Sequence, residues 1–368
     1  MIYKEGSAEI NQQEGVFLNP NMSKLRDISV LFLSAVAPKN ATLLDATAAS
    51  GIRGIRYAKE VGIKKITLID INEKAARSAS SNVKRHKLNL KILNKSVQEF
   101  ANVGKENFDI IDLDPFGSPA PYLNDLMKII NADGHLLVTA TDTAVLCGAH
   151  EHACMKIYHA KPLHNILCKE AGIRILISHI ARVAASFNYG IDVKLSISDL
   201  HYMRVFIKLN AGAKNALDSM KKMGFCAYCS KCNGFSFAQG IAPFISRECI
   251  YCGADVQLGG PMWLGNLKDE EIIKKMLNLS KKSKVSEEAK IQLDKISNEL
   301  DMPMFYSIPR ATRTLGIGSL PHKLILKNLE SAGFKVSLTQ FERDCIKTDA
   351  KSSDLLKAIK SAAKSLPK

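Results

Sequence analysis

The stretch Ala41-Thr42-Leu43-Leu44-Asp45-Ala46-Thr47-Ala48-Ala49-Ser50-Gly51 joins a short apolar run to a loop of small residues. The run Ala41–Ala46 is typical of a buried strand, and Ile52–Val61 predicts a helix that Gly62 closes. Small side chains let a ligand approach the loop backbone, and Gly51 can adopt a positive φ. The stretch therefore predicts a strand, a ligand-binding loop and a helix, in that order.

The alternation of strands and helices continues along the chain. Further strands are predicted at Lys65–Ile71, Leu90–Leu93, Phe108–Leu113, Leu136–Thr141, Asp192–Ile197 and Tyr202–Leu209. Helices are predicted at Glu73–His86, at Ala120–Ile130 with Gly134 closing it, and within Pro162–Phe187. Such alternation predicts an α/β fold with a doubly wound parallel sheet, which the last two strands are candidates to complete. An extension through Lys39 precedes this unit, with a turn at Asn19-Pro20-Asn21 and then a helix.

Length and charge suggest two domains and a phosphate-bearing partner. The chain has 368 residues, and its 51 Lys and Arg against 36 Asp and Glu give a formal net charge of +15. We divide it into residues 1–210, the α/β domain, and residues 211–368, a smaller α+β domain. So basic a surface attracts nucleic acid. No apolar run is long enough to span a bilayer and no leader is evident, so we expect a cytoplasmic protein without a membrane or an obligate protein partner.

An acidic residue follows the second predicted strand. Asp70 lies where a carboxylate can accept hydrogen bonds from ribose hydroxyls, although an Asp at a strand end is also an ordinary turn former. The G-x-G-x-x-G pattern of dinucleotide sites is absent after the first strand. This disfavours an NAD-dependent oxidoreductase. A nucleoside such as S-adenosylmethionine suits the loop better.

The fourth predicted strand ends in Asp112-Leu113-Asp114-Pro115-Phe116-Gly117-Ser118-Pro119. Pro115 has no N–H and ends the sheet, which exposes Asp114 at the pocket edge. An exocyclic aromatic amine is a poor nucleophile, and a carboxylate that accepts its hydrogen bond raises its electron density. A neighbouring aromatic ring such as Phe116 can stack on an unpaired base. The stretch is therefore typical of a methyltransferase that acts on a base amine.

The Asp-Pro-Phe-Gly-Ser-Pro stretch resembles that of the tRNA guanine-26 N2-dimethyltransferase family, a family of class I S-adenosylmethionine-dependent methyltransferases with a Rossmann-like domain. Similar stretches run in order along nearly the whole chain. They are Val16-Phe17-Leu18-Asn19-Pro20 with Met22 and Arg26-Asp27, Ser50-Gly51-Ile52-Arg53-Gly54-Ile55-Arg56, His201-Tyr202-Met203-Arg204-Val205, Gly260-Pro261-Met262-Trp263-Leu264-Gly265 and Ile346-Lys347-Thr348-Asp349-Ala350. The resemblance implies transfer of methyl groups, two of them by expectation, to N2 of guanine 26 in tRNA.

The resemblance also implies roles for particular residues. Arg26, Arg53 and Asp70 would bind the cofactor, Asp114 would hold the target amine, and Phe17 and Phe116 would sandwich the guanine. The chain departs from the family at two places. Lys95-Ser96 replaces the usual Asp-Ala after the third strand, so Ser96 would take the cofactor contact there. Leu18 stands in a motif that is usually Phe-Tyr-Asn-Pro.

Five of the nine cysteines lie between Cys226 and Cys252. Two C-x-x-C pairs at this spacing predict a structural zinc site, that is, a zinc ribbon. Either Cys226 with Cys229 or Cys229 with Cys232 could form the first pair. Turn-tolerant residues follow Cys232 and Cys252, so we choose Cys229, Cys232, Cys249 and Cys252 as ligands, with Cys226 in place of Cys232 left open.

Two other functions fit part of the sequence. One is an amine methyltransferase acting on another RNA or on DNA. The other is a zinc-ribbon RNA-binding protein whose α/β domain is catalytically inactive, although such a domain has no chemical need for Asp70 and Asp114. The sequence does not say which tRNAs are substrates, how many methyl groups are added or how many chains assemble.

Overall fold

The structure, a computed structural model, describes residues 1–103, 106–199 and 201–365. The chain begins with a hairpin of two antiparallel strands, β1 (Ile2–Glu5) and β2 (Ala8–Asn11). A 3-10 turn, Pro20–Met22, then leads into helix α1 (Ser23–Val36), because the Asn19 side chain accepts the backbone N–H of Asn21. The predicted turn and helix are confirmed, whereas the hairpin was not foreseen.

A mixed seven-stranded sheet forms the centre of the first part of the chain. Its strands are β3 (Thr42–Asp45), β4 (Lys65–Asp70), β5 (Lys91–Asn94), β6 (Phe108–Leu113), β7 (Ile130–Ala140), β8 (Tyr189–Ser198) and β9 (Met203–Ala211). Their order is β5-β4-β3-β6-β7-β9-β8. The first five are parallel, which confirms the predicted α/β class, and β9 is antiparallel to both neighbours. The sheet is mixed rather than wholly parallel, because the short link between β8 and β9 permits only an antiparallel pair.

Helices cover both faces of this sheet. They are α2 (Ile52–Arg56), α3 (Glu73–Arg85), α4 (Val97–Val103), α5 (Ala120–Leu126), α6 (Thr143–Leu146), α7 (Glu151–Tyr158) and α8 (Cys168–Ser186). Successive strand residues enter opposite cores: Leu44 and Ile111 lie in one apolar cluster, Leu43 and Ile110 in the other. This alternation follows from the pleat of the strand and explains why the strands are apolar throughout.

Two helix ends differ in detail from the prediction. The helix from Ile52 continues past Arg56 as a π-helical turn, and Gly62 ends it at φ 85° as expected. The helix predicted at Ala120–Ile130 is wrong beyond Leu126, since Ile130 already begins β7. Gly134 lies inside that strand, where the register against β6 shifts. A Cβ there would lie 3.1 Å from the Asp109 carbonyl oxygen, so glycine permits the close approach of the two strands.

The remainder of the chain contains two small sheets and six helices within the described residues. The elements are α9 (Ala213–Met220), β10 (Met223–Tyr228), β11 (Phe235–Gln239), β12 (Gln257–Trp263), α10 (Glu270–Ser280), α11 (Glu287–Asn298), β13 (Tyr306–Ser307), α12 (Ile308–Thr314), α13 (His322–Ser331), β14 (Val336–Leu338), β15 (Cys345–Thr348) and α14 (Ser352–Lys364). The sheet orders are β11-β10-β12 and β13-β15-β14. The Lys- and Ser-rich end of the chain, residues 351–368, predicts a surface helix. Helix α14 confirms it as far as Lys364, and residues 366–368 lie outside the described part of the chain.

The later elements pack directly on the earlier ones. Ile273 of α10 and Leu293 of α11 share an apolar cluster with Leu25 and Ile28 of α1. Trp263 of β12 belongs to the cluster on the other face of the large sheet. The division at residue 210 stays a prediction. No helix in the described part of the chain has the length and apolarity needed to cross a membrane.

Candidate active site

A cavity of about 600 Å³ lies beyond the carboxyl ends of β3, β4 and β6. Its lining includes the small-residue loop after β3 and most of the predicted site residues, namely Phe17, Arg26, Arg53, Asp70, Asp114 and Phe116. These residues come from four separate parts of the sequence. They meet because parallel strands present their carboxyl ends at one edge of the sheet.

The loop after β3 is fixed by Asp70 at the end of β4. One carboxylate oxygen of Asp70 accepts the N–H of Ala49 at 2.8 Å, and the other accepts the N–H of Asn72 at 2.8 Å. Gly51 adopts φ 79°, the left-handed conformation expected for it. Its missing Cβ would lie 3.1 Å from the Cβ of Ala79, so the loop and helix α3 approach closely at this point.

Asp114 forms an ion pair with the predicted cofactor residue Arg53. The Arg53 Nη2 donates to Asp114 Oδ2, and Nη1 lies 3.8 Å from Asp112 Oδ2. Arg53 is buried, which alone would lower its pKa, but the Asp114 and Asp112 carboxylates outweigh burial and raise that pKa above its usual value. The Arg53 side chain therefore stays charged and links the end of β6 to helix α2.

Asp112 lies below this pair and is fully buried. Arg204 of β9 donates to both of its oxygens at 2.9 Å, and the Tyr57 hydroxyl donates to Oδ2. Burial alone would raise the pKa of Asp112, yet the guanidinium groups of Arg204 and Arg53 hold it below the usual range. Asp112 thus remains a carboxylate, and its charge balances the two arginines beneath the cavity.

The pKa of Asp45 is shifted in the opposite direction from that of Asp112. Burial and the neighbouring Asp112 carboxylate raise the pKa of Asp45 to about 8. Its Oδ2 is buried without a hydrogen-bond partner among the described residues. A neutral carboxyl group with one unpaired oxygen costs less free energy there than a carboxylate would. Burial and repulsion from Asp112 thus favour the protonated form of Asp45, whereas the arginines favour the charged form of Asp112.

Arg26 is held by a residue that the sequence analysis missed. Its Nε donates to Glu5 Oε1 at 2.7 Å, and its Nη2 donates to the Asn19 carbonyl at 3.1 Å. Glu5 also binds Arg56 at 2.6 Å. The N-terminal hairpin thereby fixes one wall of the cavity. A lone Glu near the N-terminus carries no sequence signal for this role.

The two predicted stacking residues lie at the mouth of the cavity. Phe17 is 46% exposed and Phe116 is 72% exposed, so neither ring is part of the core. Their centroids are 4.4 Å apart with an interplanar angle of 74°. The rings touch edge to face, and a base can lie between them only after they separate.

Among the residues predicted to bind the cofactor or the base, Ser96 is the one that is not part of the lining of this cavity. Its hydroxyl accepts the N–H of Glu99 at 3.1 Å, and it lies just before α4. This is an ordinary helix-capping contact. The proposed contact of Ser96 with the cofactor stays a prediction.

The four chosen cysteines converge at the end of β10. The sulfur atoms of Cys229, Cys232, Cys249 and Cys252 all lie within 4.8 Å of one another. The closest pairs are Cys232 with Cys249 at 3.5 Å and Cys229 with Cys252 at 3.6 Å. Cys226, in contrast, is buried within β10 and is not part of the group.

The turns after the second cysteine of each pair have the conformation expected of metal knuckles. Asn233 adopts φ 60° after Cys232, and Gly253 adopts φ 69° after Cys252. The Asn233 side chain also bonds the Tyr228 hydroxyl at 2.9 Å and the Ser307 carbonyl at 3.3 Å. The cysteine cluster is thus attached to the sheet that contains β13.

Comparison with known proteins agrees with this geometry. Residues 1–360 match a family model described as N2,N2-dimethylguanosine tRNA methyltransferase. The chain belongs to this family. The tRNA (guanine(26)-N(2))-dimethyltransferase of Methanobrevibacter smithii is 35% identical, with 97% of this chain and 93% of that protein aligned. The protein of the same name from Thermococcus kodakarensis is 37% identical, with 91% and 90% aligned.

A solved member of the family has the same fold. Trm1 from Pyrococcus horikoshii, in a complex with S-adenosyl-L-methionine, superposes with a TM-score of 0.91 at 34% identity. The match covers 97% of this chain and 99% of that one. The resemblance inferred from the ordered motifs is therefore confirmed over nearly the whole length, including the part of the family fold that carries the cysteines.

Proposed function

We propose that this protein transfers methyl groups from S-adenosylmethionine to the exocyclic N2 of guanine at position 26 of tRNA. The observation that carries the proposal is one cavity that combines Asp70, Asp114 and the exposed pair Phe17 and Phe116. Family membership over residues 1–360 supports the same activity.

The cavity suits a nucleoside that carries an amino acid group. Asp70 lies at the end of β4, where its carboxylate can accept bonds from ribose hydroxyls. Arg26 and Arg53 line the same cavity, and a guanidinium group suits the carboxylate of the methionine portion. S-adenosylmethionine supplies an electrophilic methyl group. The residues of the chain must then aim the amine and accept its proton.

Asp114 can perform both tasks. Arg53 contacts one of its oxygens, Oδ2, and a carboxylate has about four acceptor positions, so an amine can bind as well. The hydrogen bond to the carboxylate makes the amine nitrogen more electron-rich as the nitrogen–carbon bond forms. The bond between the methyl group and the sulfonium sulfur breaks at the same time and leaves a neutral thioether. Asp114 then accepts the proton that the nitrogen loses. The ion pair with Arg53 keeps the carboxylate in place beforehand.

Phe17 and Phe116 provide surfaces for an unpaired base. A base between two rings needs a ring separation of about 7 Å, twice a van der Waals contact of ~3.5 Å. The rings must therefore part when guanine enters. Their high exposure makes this movement inexpensive, because few packing contacts are lost.

A zinc ion fits the four cysteines Cys229, Cys232, Cys249 and Cys252. Zinc–sulfur bonds of about 2.3 Å in a tetrahedron place sulfur atoms roughly 3.8 Å apart. The observed separations of 3.5 and 3.6 Å lie close to this value. Four thiolates close the coordination shell, so the metal would be structural and would stabilise a ribbon in a tRNA-binding region after residue 210.

Incubation of unmodified tRNA with the protein and labelled S-adenosylmethionine tests the proposal. Nucleoside mass spectrometry should detect N2-methylated guanosine, whose mass gives the number of methyl groups, and mass spectrometry of nuclease fragments should locate it at position 26. Label in another base, or in DNA alone, would favour the amine methyltransferase of different specificity. Tight tRNA binding with no label would favour an inactive RNA-binding protein.

A further inference from the structure

The backbone of the turn Asp114–Gly117, here called the catalytic turn, is bound at both ends by threonine hydroxyls. The Asp114 N–H donates to Thr47 Oγ1 at 3.0 Å. The Gly117 N–H donates to Thr141 Oγ1 at 2.7 Å. The Gly117 carbonyl in turn accepts the Thr141 N–H at 3.0 Å. Hydrogen bonds with Thr47 and Thr141 therefore hold both ends of the turn.

The two threonines come from the strands on either side of β6. Thr47 follows β3 and Thr141 follows β7, and the sheet order β3-β6-β7 places β6 between them. Both side chains line the cavity. The catalytic turn is thus hydrogen-bonded to the segments that follow both neighbouring strands, beside the residues that line the cavity.

The segment after the catalytic turn has its own anchor. The Ser118 hydroxyl donates to the Tyr158 hydroxyl at 2.8 Å, and Tyr158 donates to the Asp142 carboxylate at 2.9 Å. Tyr158 is fully buried. The chain on the far side of the turn is consequently fixed. Arg53 holds the Asp114 side chain, and the two threonine bonds hold the backbone from which Asp114 and Phe116 project.

We propose that Thr47 and Thr141 are positioning residues of the methyl transfer, which set the orientation of the Asp114 carboxylate through the backbone of the catalytic turn. The inference rests on the proposed function. Pro115 is buried, but Gly117 has φ 76° and no atom lies within 4 Å of the Cβ that it lacks, so packing does not hold this end of the turn. Hydrogen bonds to the backbone take that role.

Valine has the shape of threonine without the hydroxyl, so Thr47→Val and Thr141→Val test the bonds alone. Loss of the acceptor leaves a partly buried N–H without its partner and loosens the turn, so we expect single-turnover methylation to slow about 5- to 100-fold. The affinity for S-adenosylmethionine should change less than about threefold in Thr141→Val, because Thr141 lies away from the loop after β3. Thr141→Ser keeps the hydroxyl and should restore most of the rate.

Thr42→Val is the matched control. Thr42 lies at the amino end of β3, where its Oγ1 accepts the N–H of Asp109 at 3.0 Å. The same type of bond between the same two strands is removed, but at the edge opposite the cavity. Thr42 Oγ1 also donates to Asp109 Oδ2 at 2.9 Å, so this variant should lose at least as much stability and yet methylate at the wild-type rate. Equal slowing of Thr42→Val and Thr47→Val would overturn the inference.

A double-mutant cycle with Asp114→Asn separates positioning from general damage. If Thr141 acts through Asp114, then Thr141→Val should slow the Asp114→Asn enzyme less than about twofold. Additive effects would overturn the inference, as would wild-type rates in both valine variants while Asp114→Asn is inactive. If Asp114→Asn itself methylates normally, the assignment of Asp114 in the proposed function fails instead.

Discussion

Replacement of Asp114 by asparagine removes the charge that the proposed mechanism requires and leaves the size of the side chain unchanged. The backbone bond to Thr47 does not involve the side chain and should persist. Arg53 retains Asp112, 3.8 Å away, as a partner for its charge. The variant should thus lose about 1–3 kcal/mol of folding free energy, which is less than the loss expected when a buried charge keeps no partner at all.

The chemical step should suffer more. Loss of one preorganised group that stabilises developing charge typically slows a reaction about 10²–10³-fold, or about 2.7–4 kcal/mol in the barrier. The measurement is single-turnover methylation of tRNA with enzyme in excess, beside calorimetry for S-adenosylmethionine binding. The affinities for S-adenosylmethionine and for tRNA should remain within about threefold of wild type, because Asp70, the residue proposed to bind the ribose, and the basic surface are unchanged.

Asp133→Asn is the control, since Asp133 is an exposed carboxylate and does not line the cavity. It should methylate normally. Our reasoning about Asp114 would be refuted if Asp114→Asn transferred methyl groups within about threefold of the wild-type rate. It would be equally refuted if the variant lost turnover only because it no longer bound S-adenosylmethionine.

Four further outcomes are expected. Asp70→Ala should weaken S-adenosylmethionine binding about 10- to 100-fold by calorimetry, because a hydrogen-bonded charge is lost; an unchanged affinity would exclude the ribose contact. Elemental analysis should find one zinc per chain in wild type and in Cys226→Ser but not in Cys252→Ser, and metal-free wild-type protein would contradict the site. The association constant for tRNA should fall at least about tenfold between 50 and 200 mM salt, whereas a flat response would mean that phosphate contacts contribute little. Burial lowers the pKa values of His135 and His179 to about 4, so the unfolded chain binds more protons than the folded chain between about pH 6.5 and 4. The free energy of unfolding should therefore decline as the pH falls through this range. Denaturant unfolding at several pH values measures this dependence, which His135→Phe should reduce.

Much of the fold is encoded in local patterns. The parallel strands β3, β4 and β6 are short apolar runs, and each ends in the polar residue that later lines or underlies the cavity. Hydrophobic periodicity and turn residues depend on only a few neighbouring positions, so they can be recognised in a single sequence. The same holds for the cysteine cluster, where Asn233 and Gly253 identify the knuckles by their tolerance of positive φ.

The sequence predicted the secondary structure incorrectly where the local preference for a helix competes with the pairing of strands in a sheet. The residues after Leu126 have helical character, yet Ile130 joins β7 because pairing with β6 and burial of its side chain are available there. The hairpin β1–β2 was not foreseen for a similar reason, since its strands have only four residues each. Short strands depend on the surface that they cover, which the sequence does not display.

The sequence by itself determined which residue types stand at the strand ends, and hence the chemistry of the cavity. Only the tertiary structure decided how those residues pair. Arg53 lies 61 positions from Asp114, Arg26 lies 21 positions from Glu5, and Thr47 lies 67 positions from the Asp114 N–H that it binds. Each contact requires the sheet to bring distant segments together first. In the unfolded chain water satisfies every charge and hydroxyl, and a particular partner is selected only when folding excludes that water and places the two groups within hydrogen-bonding distance.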